Sequence, residues 1–165
     1  FKLSSPELKA GQMLPASYEF AGFGCAGENL SPALQWQGAP AGTQSYAITM
    51  YDPDAPTGSG WWHWMVLNLP ADTRSLPRGA GRVAQPQLPA GAVQQRIDFG
   101  VQGYGGVCPP VGSPPHRYIF TVYALKTATL DVPADATAAL AGFMINANTL
   151  AKASFTVRYA RKRSK

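Results

Sequence analysis

The hydrophobic pattern of the 165-residue chain is dominated by short runs of β-branched and aromatic residues between glycine and proline breaks. Runs of this length, composition and flanking sequence are typical of β-strands. In the run Arg117–Leu125 both faces are largely apolar, so we predict a central strand that is buried on both sides. The predicted strands are Ala33–Trp36, Ser45–Tyr51, Trp62–Leu69, Arg117–Leu125 and Ser154–Tyr159.

One segment has the spacing of an amphipathic helix. It starts near Asp135, the predicted N-cap, shortly after Pro133, and is rich in alanine. Its larger apolar residues recur three, four and seven positions apart, which places them on one helix face. We expect this face to cover a sheet, with Phe143 and Met144 in the core. The predicted face consists of Leu140, Phe143, Met144, Ala147, Leu150 and Ala151.

The stretch from Arg74 to Gln95 lacks such a pattern and contains Pro77, Pro86, Pro89 and several glycines among polar residues. It is predicted to be a long surface loop rather than a linker, because the strand-like segments on both sides fit one sheet. The sequence shows no internal repeat. A chain of this length is close to the usual size of one domain, so we predict a single domain over residues 1–165.

Composition favours a compact fold, since charged residues make up 14% of the chain against about 25% in an average soluble domain. No apolar stretch approaches the roughly 18 residues of a membrane span. The net charge of +5 comes largely from the end of the chain. No basic stripe interleaved with aromatic residues crosses the body, which argues against nucleic-acid binding. The basic residues of this terminus, expected to be solvated, are Arg158, Arg161, Lys162, Arg163 and Lys165.

The two cysteines, Cys25 and Cys108, lie in glycine-rich loop sequence. A zinc site would need more ligands nearby, and a redox pair normally has Cys-x-x-Cys spacing. One long-range disulfide fits best, and two unrelated buried thiols are the alternative. A disulfide would place the protein in the periplasm or outside the cell, whereas thiols would suit the cytoplasm. The first residue, Phe1, fits removal of a signal peptide or of an expression tag.

Candidate chemistry concentrates around both histidines and one acidic motif. His63 and His116 each open a predicted strand, beside glycine, proline and aromatic residues. Asp52 and Asp54 directly follow another strand end. An ionised carboxylate only accepts hydrogen bonds, so each aspartate can shape a turn or face a ligand. We predict a small polar pocket formed by Asp52, Asp54, His63 and His116.

Proline density suggests that this pocket is preformed. Residues 52–56 and 108–115 are rich in proline, which holds polar groups in place at little ordering cost. We also predict a cis peptide bond between Asp52 and Pro53, because rigid reversals at strand ends tolerate such bonds.

At this point the motifs resemble those of the phosphatidylethanolamine-binding protein family, in particular its bacterial branch of Raf-kinase-inhibitor-like proteins. The resemblance extends over nearly the whole chain. It implies a mainly β fold, in which a large antiparallel sheet packs on a smaller sheet with one or two peripheral helices. The matching motifs are Ser31–Trp36, Tyr51–Pro56, Trp62–Trp64, Asp98–Gly100, Gly105–Pro110 and His116–Tyr118.

The resemblance also implies a small pocket that takes phosphate, acetate or a phosphorylethanolamine head group. Asp52 and His63 match the family's pocket Asp and His, and His116 and Tyr118 match its His-Arg-Tyr segment. Histidine and tyrosine can donate to an anion, while the aspartate is better suited to orienting a histidine or binding an ammonium group. Asp54 and Arg117 lie in the same motifs, with roles still open.

Eukaryotic members of the family have a C-terminal helix whose tyrosine closes the pocket. This chain shows no evident equivalent, so the resemblance implies a more open pocket here. A disulfide between Cys25 and Cys108 would stiffen its rim.

The leading hypothesis is a non-enzymatic binding or regulatory protein without a cofactor, which takes a small anion and possesses a surface for a protein such as a kinase. One alternative is a hydrolase that uses Asp52, His63 and His116 as a metal triad or as an acid/base set. It is less favoured because no nucleophile with an adjacent base is evident. Another alternative is inhibition of serine proteases, as in some family members. Trp61, Trp62 and Trp64 could line the pocket, pack in the core or form a dimer face.

Overall fold

The computed structural model describes residues 1–162. It contains ten strands, one α-helix, named α1, and a 3-10 turn at Ala16–Tyr18. The strands are β1 (Lys2–Ser4), β2 (Ala21–Gly22), β3 (Cys25–Ala26), β4 (Leu34–Gln37), β5 (Ser45–Asp52), β6 (Trp61–Pro70), β7 (Ser75–Leu76), β8 (Val93–Gln94), β9 (His116–Leu125) and β10 (Thr149–Tyr159), and α1 spans Ala138–Ala147.

The predicted fold class is confirmed, because antiparallel sheets form most of the structure. The large sheet has the strand order β10-β9-β5-β6-β8, and a smaller sheet has the order β1-β4-β7. One face of the large sheet packs on the small sheet around Trp36, Tyr46 and Phe120, whose side chains are buried together. The remaining pair, β2 and β3, forms a short hairpin.

The prediction for β9 is also confirmed. This strand lies between β5 and β10, and its last six residues are all buried. Val122 and Ala124 face the small sheet, while Tyr123 and Leu125 belong to a second apolar cluster on the opposite face. A strand covered on both sides carries apolar residues at successive positions, which explains the unbroken apolar run in the sequence.

Helix α1 covers this second face, but the predicted apolar face of the helix was wrong. The N-cap is Thr137 rather than Asp135, and its Oγ1 accepts a 3.1 Å bond from the Leu140 N–H. The buried helix residues are Ala138, Ala141 and Ile145, whereas Phe143 is 72% exposed. Small alanines let the helix lie close to the sheet, so the larger side chains of its other face point to solvent.

Two members of the predicted helix face do not belong to the helix at all. Leu150 and Ala151 lie in β10, which begins at Thr149 directly after the helix. The helical spacing therefore continued by chance into an edge strand.

The predicted loop between Arg74 and Gln95 is largely irregular, with the two-residue strands β7 and β8 near its ends. It is not entirely superficial, since Leu76 and Ala80 are buried. No helix within the described residues has the length and apolar character needed to cross a membrane. The single-domain organisation of residues 1–165 stays a prediction.

Candidate functional site

The three sequence motifs that contain Asp52, His63 and His116 meet at one end of the large sheet. Strand β5 pairs antiparallel with both β6 and β9, so its last residues lie beside the first residues of its two neighbours. This topology brings Asp52 next to Trp61 in register and places His116 close by. A cavity of about 320 Å³ opens there. Its lining includes four of the predicted site residues, Asp52, His63, His116 and Tyr118.

Asp52 and His116 form a buried hydrogen-bonded pair at this cavity. The distance from His116 Nδ1 to Asp52 Oδ2 is 2.7 Å, and both side chains are more than nine-tenths buried. The other carboxylate oxygen of Asp52 accepts a 2.8 Å bond from the Asp54 N–H. Asp52 therefore closes an Asx-type turn and orients the imidazole of His116, so both expected roles of an aspartate fall on one residue.

His63 lies on β6 and is held by the loop that contains Gly105. Its Nδ1 is 2.7 Å from the Gly105 carbonyl oxygen, which can only accept, so Nδ1 carries the hydrogen. Burial lowers the pKa of His63 below its usual 6.5. The imidazole is therefore neutral near pH 7, and its Nε2 is an acceptor rather than a donor.

Tyr118 and Trp61 contribute two buried donors. The Tyr118 hydroxyl and the Trp61 indole N–H have no hydrogen-bond partner among residues 1–162. Burial raises the pKa of Tyr118, and the nearby Asp52 charge raises it further without forming a well-aligned hydrogen bond to the hydroxyl. Tyr118 therefore remains protonated and able to donate.

The structure does not bring Asp54 and Arg117 into the wall of this cavity. The Arg117 guanidinium donates to both carboxylate oxygens of Asp54 at 3.0 and 2.9 Å, and the Arg117 backbone N–H donates to Asp54 Oδ2 at 2.8 Å. The hydrogen bonds from Arg117 lower the pKa of Asp54 to about 2. The pair ties the loop after β5 to the start of β9 and so supports the site from outside.

An aromatic wall, which the sequence did not assign to the pocket, faces the polar residues. Phe99, Phe23 and Trp61 line the cavity, and Trp61 packs edge-on against Phe99 with ring centroids 5.2 Å apart. The Asp98–Gly100 motif was the available signal for Phe99. Phe23 could not be found from sequence, because it lies in a short turn with a positive φ of 50° and is 72% exposed.

The three tryptophans whose positions were left open have different environments. Trp61 lines the cavity, Trp62 packs on Tyr51 with ring centroids 4.3 Å apart, and Trp64 is fully buried in the core. Trp62 and Trp64 are two residues apart but belong to the apolar clusters on opposite faces of the sheet, because a register shift between them interrupts the regular alternation of β6.

A disulfide joins Cys25 and Cys108 at the rim of the cavity, as the preferred interpretation of the cysteines predicted. Arg161 crosses the same two loops, since its guanidinium donates to the carbonyl oxygens of Pro109 at 2.6 Å and of Gly24 at 3.3 Å. The expectation that Arg161 is freely solvated was therefore wrong. Arg163 and Lys165 of the predicted basic terminus lie outside the described residues.

The predicted cis bond between Asp52 and Pro53 was wrong, because residues 1–162 contain no cis peptide bond. The chain reverses instead through the Asx-type turn of Asp52 and through Gly58 and Gly60, which have φ values of 84° and 70°. Glycine adopts such conformations without strain, so a trans proline is sufficient.

The metal triad of the less favoured hydrolase alternative does not assemble. Within the described part of the chain, no three His, Cys, Asp or Glu side chains are arranged to hold a metal ion. Asp52 Oδ2 is hydrogen-bonded to His116 Nδ1. These two atoms therefore bind each other instead of a metal ion.

The buried His63 predicts a pH dependence of stability. Its native pKa is lowered, so the unfolded chain takes up a proton that the folded chain does not, as pH falls below about 6.5. Acidification from pH 7.5 to 5.5 should therefore lower the free energy of unfolding in wild type more than in His63→Asn. Asparagine can keep a donor to the Gly105 carbonyl. Urea unfolding of both proteins at the two pH values measures this difference. An equal loss of unfolding free energy in wild type and His63→Asn on acidification would contradict a neutral buried His63.

Comparison with known proteins identifies the family of this chain. Residues 4–160 match the family model of phosphatidylethanolamine-binding protein. The chain is 54% identical to YbcL of Escherichia coli K12 over 159 residues, which cover 96% of this chain and 87% of YbcL. It is 52% identical to YbhB of the same organism over 161 residues, which cover 96% of this chain and 99% of YbhB.

Solved structures give the same result. The crystal structure of E. coli YbcL, described as a new member of the mammalian PEBP family, matches with a TM-score of 0.94 over 97% of this chain and 98% of that chain. CT736 of Chlamydia trachomatis, described as a putative PEBP homolog, has a TM-score of 0.79 at 28% identity, with 97% of each chain covered. The chain therefore belongs to the phosphatidylethanolamine-binding protein family, among its bacterial members, as its motifs predicted.

Proposed function

We propose that this protein binds a small oxygen-rich anion, a phosphate monoester or a phosphorylethanolamine head group, in the cavity beside Asp52 and His116. Family membership supports a ligand-binding protein in general. The observation that carries the specific proposal is a pair of buried donors without a protein acceptor among residues 1–162, Tyr118 Oη and Trp61 Nε1, which belong to two residues of one cavity wall. A buried donor without a partner destabilises the folded protein by about 1–3 kcal/mol. A ligand oxygen that accepts a hydrogen bond from such a donor would remove this penalty.

The acceptors of the site restrict the charge of the ligand. Neutral His63 presents Nε2 as an acceptor, and Asp52 adds a negative charge that His116 only partly surrounds. The negative charge of Asp52 repels a phosphate dianion, whereas a protonated phosphate oxygen or an ammonium group can donate a hydrogen bond to Asp52 or to His63 Nε2. Phosphorylethanolamine carries both an anionic and an ammonium group, which fits this mixture of donors and acceptors.

The size and rigidity of the cavity support a small ligand. Its volume of about 320 Å³ lies at the lower end of small-molecule sites. Pro56, Pro109 and Pro110 line it, and a disulfide and Arg161 cross-link its rim. Such a preformed site loses little conformational entropy on binding.

Removal of the Tyr118 hydroxyl tests the proposal. Tyr118→Phe should weaken binding of phosphate and of phosphorylethanolamine by about tenfold or more, because a hydrogen bond to a charged group contributes about 1.5–3 kcal/mol. Isothermal titration calorimetry measures the dissociation constants.

Tyr104→Phe is the matched control. The Tyr104 hydroxyl is also buried without a partner among residues 1–162, but Tyr104 does not line the cavity. This variant should bind like wild type. Equal binding by wild type and Tyr118→Phe would reject the cavity as the anion site.

The disulfide supports a location in the periplasm or outside the cell, because cytosolic thiols are kept reduced. We include this location in the proposal, with the cytoplasm as the alternative. Regulation of a protein partner such as a kinase stays a prediction, and so does inhibition of a serine protease.

A further inference from the structure

Ser113 lies next to the ring nitrogen of His116 that Asp52 does not occupy. Its Oγ is 3.4 Å from His116 Nε2, while His116 Nδ1 is 2.7 Å from Asp52 Oδ2. The three side chains therefore form one hydrogen-bonded series from carboxylate to imidazole to hydroxyl. Ser113 does not line the anion cavity, and the proposed binding function does not use it.

We propose that Ser113 is a nucleophile activated by His116, and that small carboxylic esters acylate it. Serine hydrolases use the same series of groups, and they are recognised by geometry rather than by order along the chain. The Asp52 carboxylate can only accept, so its 2.7 Å contact selects the His116 tautomer with the hydrogen on Nδ1. Nε2 then has a lone pair with which to take the hydroxyl proton of Ser113.

The hydroxyl has two acceptors for its single hydrogen. The Pro110 carbonyl oxygen is 3.0 Å from Ser113 Oγ, and His116 Nε2 is 3.4 Å away. Rotation about the side-chain bond moves the hydrogen from the carbonyl to the imidazole, and the second arrangement is the nucleophilic one. Contacts between nucleophile and base are commonly this long before a substrate binds.

The segment that carries Ser113 is rigid. Residues 109–115 include four prolines, and Gly112 makes the turn with a φ of 84°. The Gly112 N–H donates to the Arg161 carbonyl at 3.0 Å, and the Ser113 N–H donates to the Pro110 carbonyl at 3.2 Å. A nucleophile fixed in this way needs little reorganisation to react.

An open groove of about 470 Å³ gives access to the hydroxyl. Ser113, His116, Arg117 and Arg158 all line it. Arg158 lies directly opposite Arg117 in the pairing of β9 with β10, and like charges in such positions repel. Asp54 neutralises Arg117, whereas Arg158 has no carboxylate partner in the described chain. The groove therefore contains a guanidinium group available to an anion.

This guanidinium replaces the usual backbone donors for an oxyanion. Pro114, which follows the nucleophile, has no N–H, and the N–H groups of Gly112 and Ser113 are already bonded. In this proposal charge stabilisation falls to Arg158, which lines the same groove as Ser113. A site with one flexible cation and no backbone oxyanion hole reacts slowly, which favours small reactive esters as substrates.

The chemical step balances without an additional cofactor. Ser113 Oγ attacks the ester carbonyl carbon, the hydroxyl proton passes to His116 Nε2, and the ester C–O bond breaks as the leaving alcohol takes that proton. Water then attacks the acyl carbon with Nε2 as base. The Oγ–C bond breaks, the proton returns to Oγ, and a carboxylic acid is released.

The full chain treated with p-nitrophenyl acetate tests the proposal. We expect a burst of p-nitrophenolate and, by peptide mass spectrometry, one preferred acetyl group on Ser113. Ser113→Ala should lose both signals. His116→Asn should slow acetylation by about a hundredfold, because asparagine keeps a donor to Asp52 but has no base at the position of Nε2.

Ser59→Ala is the control variant, since Ser59 is an exposed serine whose hydroxyl bonds no histidine in the described residues. It should react like wild type. Acetyl groups spread evenly over serines and lysines, or equal rates in wild type and Ser113→Ala, would overturn the proposal. Thermal unfolding of each variant shows whether it is folded, and Ser113→Ala decides alone if His116→Asn does not fold.

Discussion

Replacement of both Cys25 and Cys108 by serine is expected to lower the free energy of unfolding by about 4 kcal/mol. The disulfide joins residues that are 83 positions apart. In the chain-entropy account, a cross-link over a loop of this length removes about 4–5 kcal/mol of freedom from the unfolded chain. Urea unfolding followed by tryptophan fluorescence measures the loss.

The dependence on urea provides a second readout. Without the cross-link the unfolded chain exposes more surface, so the slope of free energy against urea should rise as the midpoint falls. The single variant Cys25→Ser is the control, because it removes the bond but changes only one side chain. It should lose about as much stability as the double variant. A loss of less than about 1 kcal/mol in both would contradict a constraint on the unfolded state.

The reduced chain should also retain its native topology. Arg161 still donates to the Pro109 and Gly24 carbonyls after the bond is gone, and both sheets lie elsewhere. The cross-link therefore contributes mainly to stability and to the stiffness of the rim.

Most strands of the large sheet could be predicted from sequence, because the order of apolar and polar residues within a strand indicates which of its faces are buried. The run Arg117–Leu125 indicated burial on both faces, and β9 is an interior strand of the large sheet, as this implies. The convergence of Asp52, His63 and His116 also follows from sequence plus antiparallel pairing, since each lies where a strand starts or ends. Periodicity fails for the helix, where Ala141 is buried and Phe143 is not. Which helix face meets the sheet depends on how closely the backbones approach.

The parts of the site on loops could not be predicted. Phe23 reaches the cavity through a turn with a positive φ, and Arg161 reaches the rim through bonds to carbonyl groups. Ser113 looks like an ordinary turn residue in Gly-Ser-Pro-Pro. Only the folded loop brings its hydroxyl to His116, three residues later in the chain. Loop conformation depends on bonds to distant segments, which local patterns do not record.

The His116→Ala variant is expected to lose about 3 kcal/mol of stability. It leaves the Asp52 carboxylate, which is 2% exposed, with only the Asp54 N–H as a partner. Removing the partner of a buried charge costs about 3–5 kcal/mol, since the remaining charge lacks compensation. Asp52→Ala should cost less, because it leaves no buried carboxylate without its partner. Urea unfolding at pH 7 measures both variants.

The double variant Asp52→Ala/His116→Ala measures the coupling free energy between the two side chains. We expect it to lose about 2 kcal/mol less than the sum of the single losses, because no unpaired charge is left behind. The Asp54–Arg117 pair is the matched control, since it also joins the end of β5 and its following loop to the start of β9, and its coupling should be much smaller because Arg117 is exposed to solvent. Additive losses at Asp52 and His116 would mean that the contact between the two side chains contributes no stability. Its remaining contribution would then be to hold the imidazole with Nδ1 protonated and Nε2 toward Ser113.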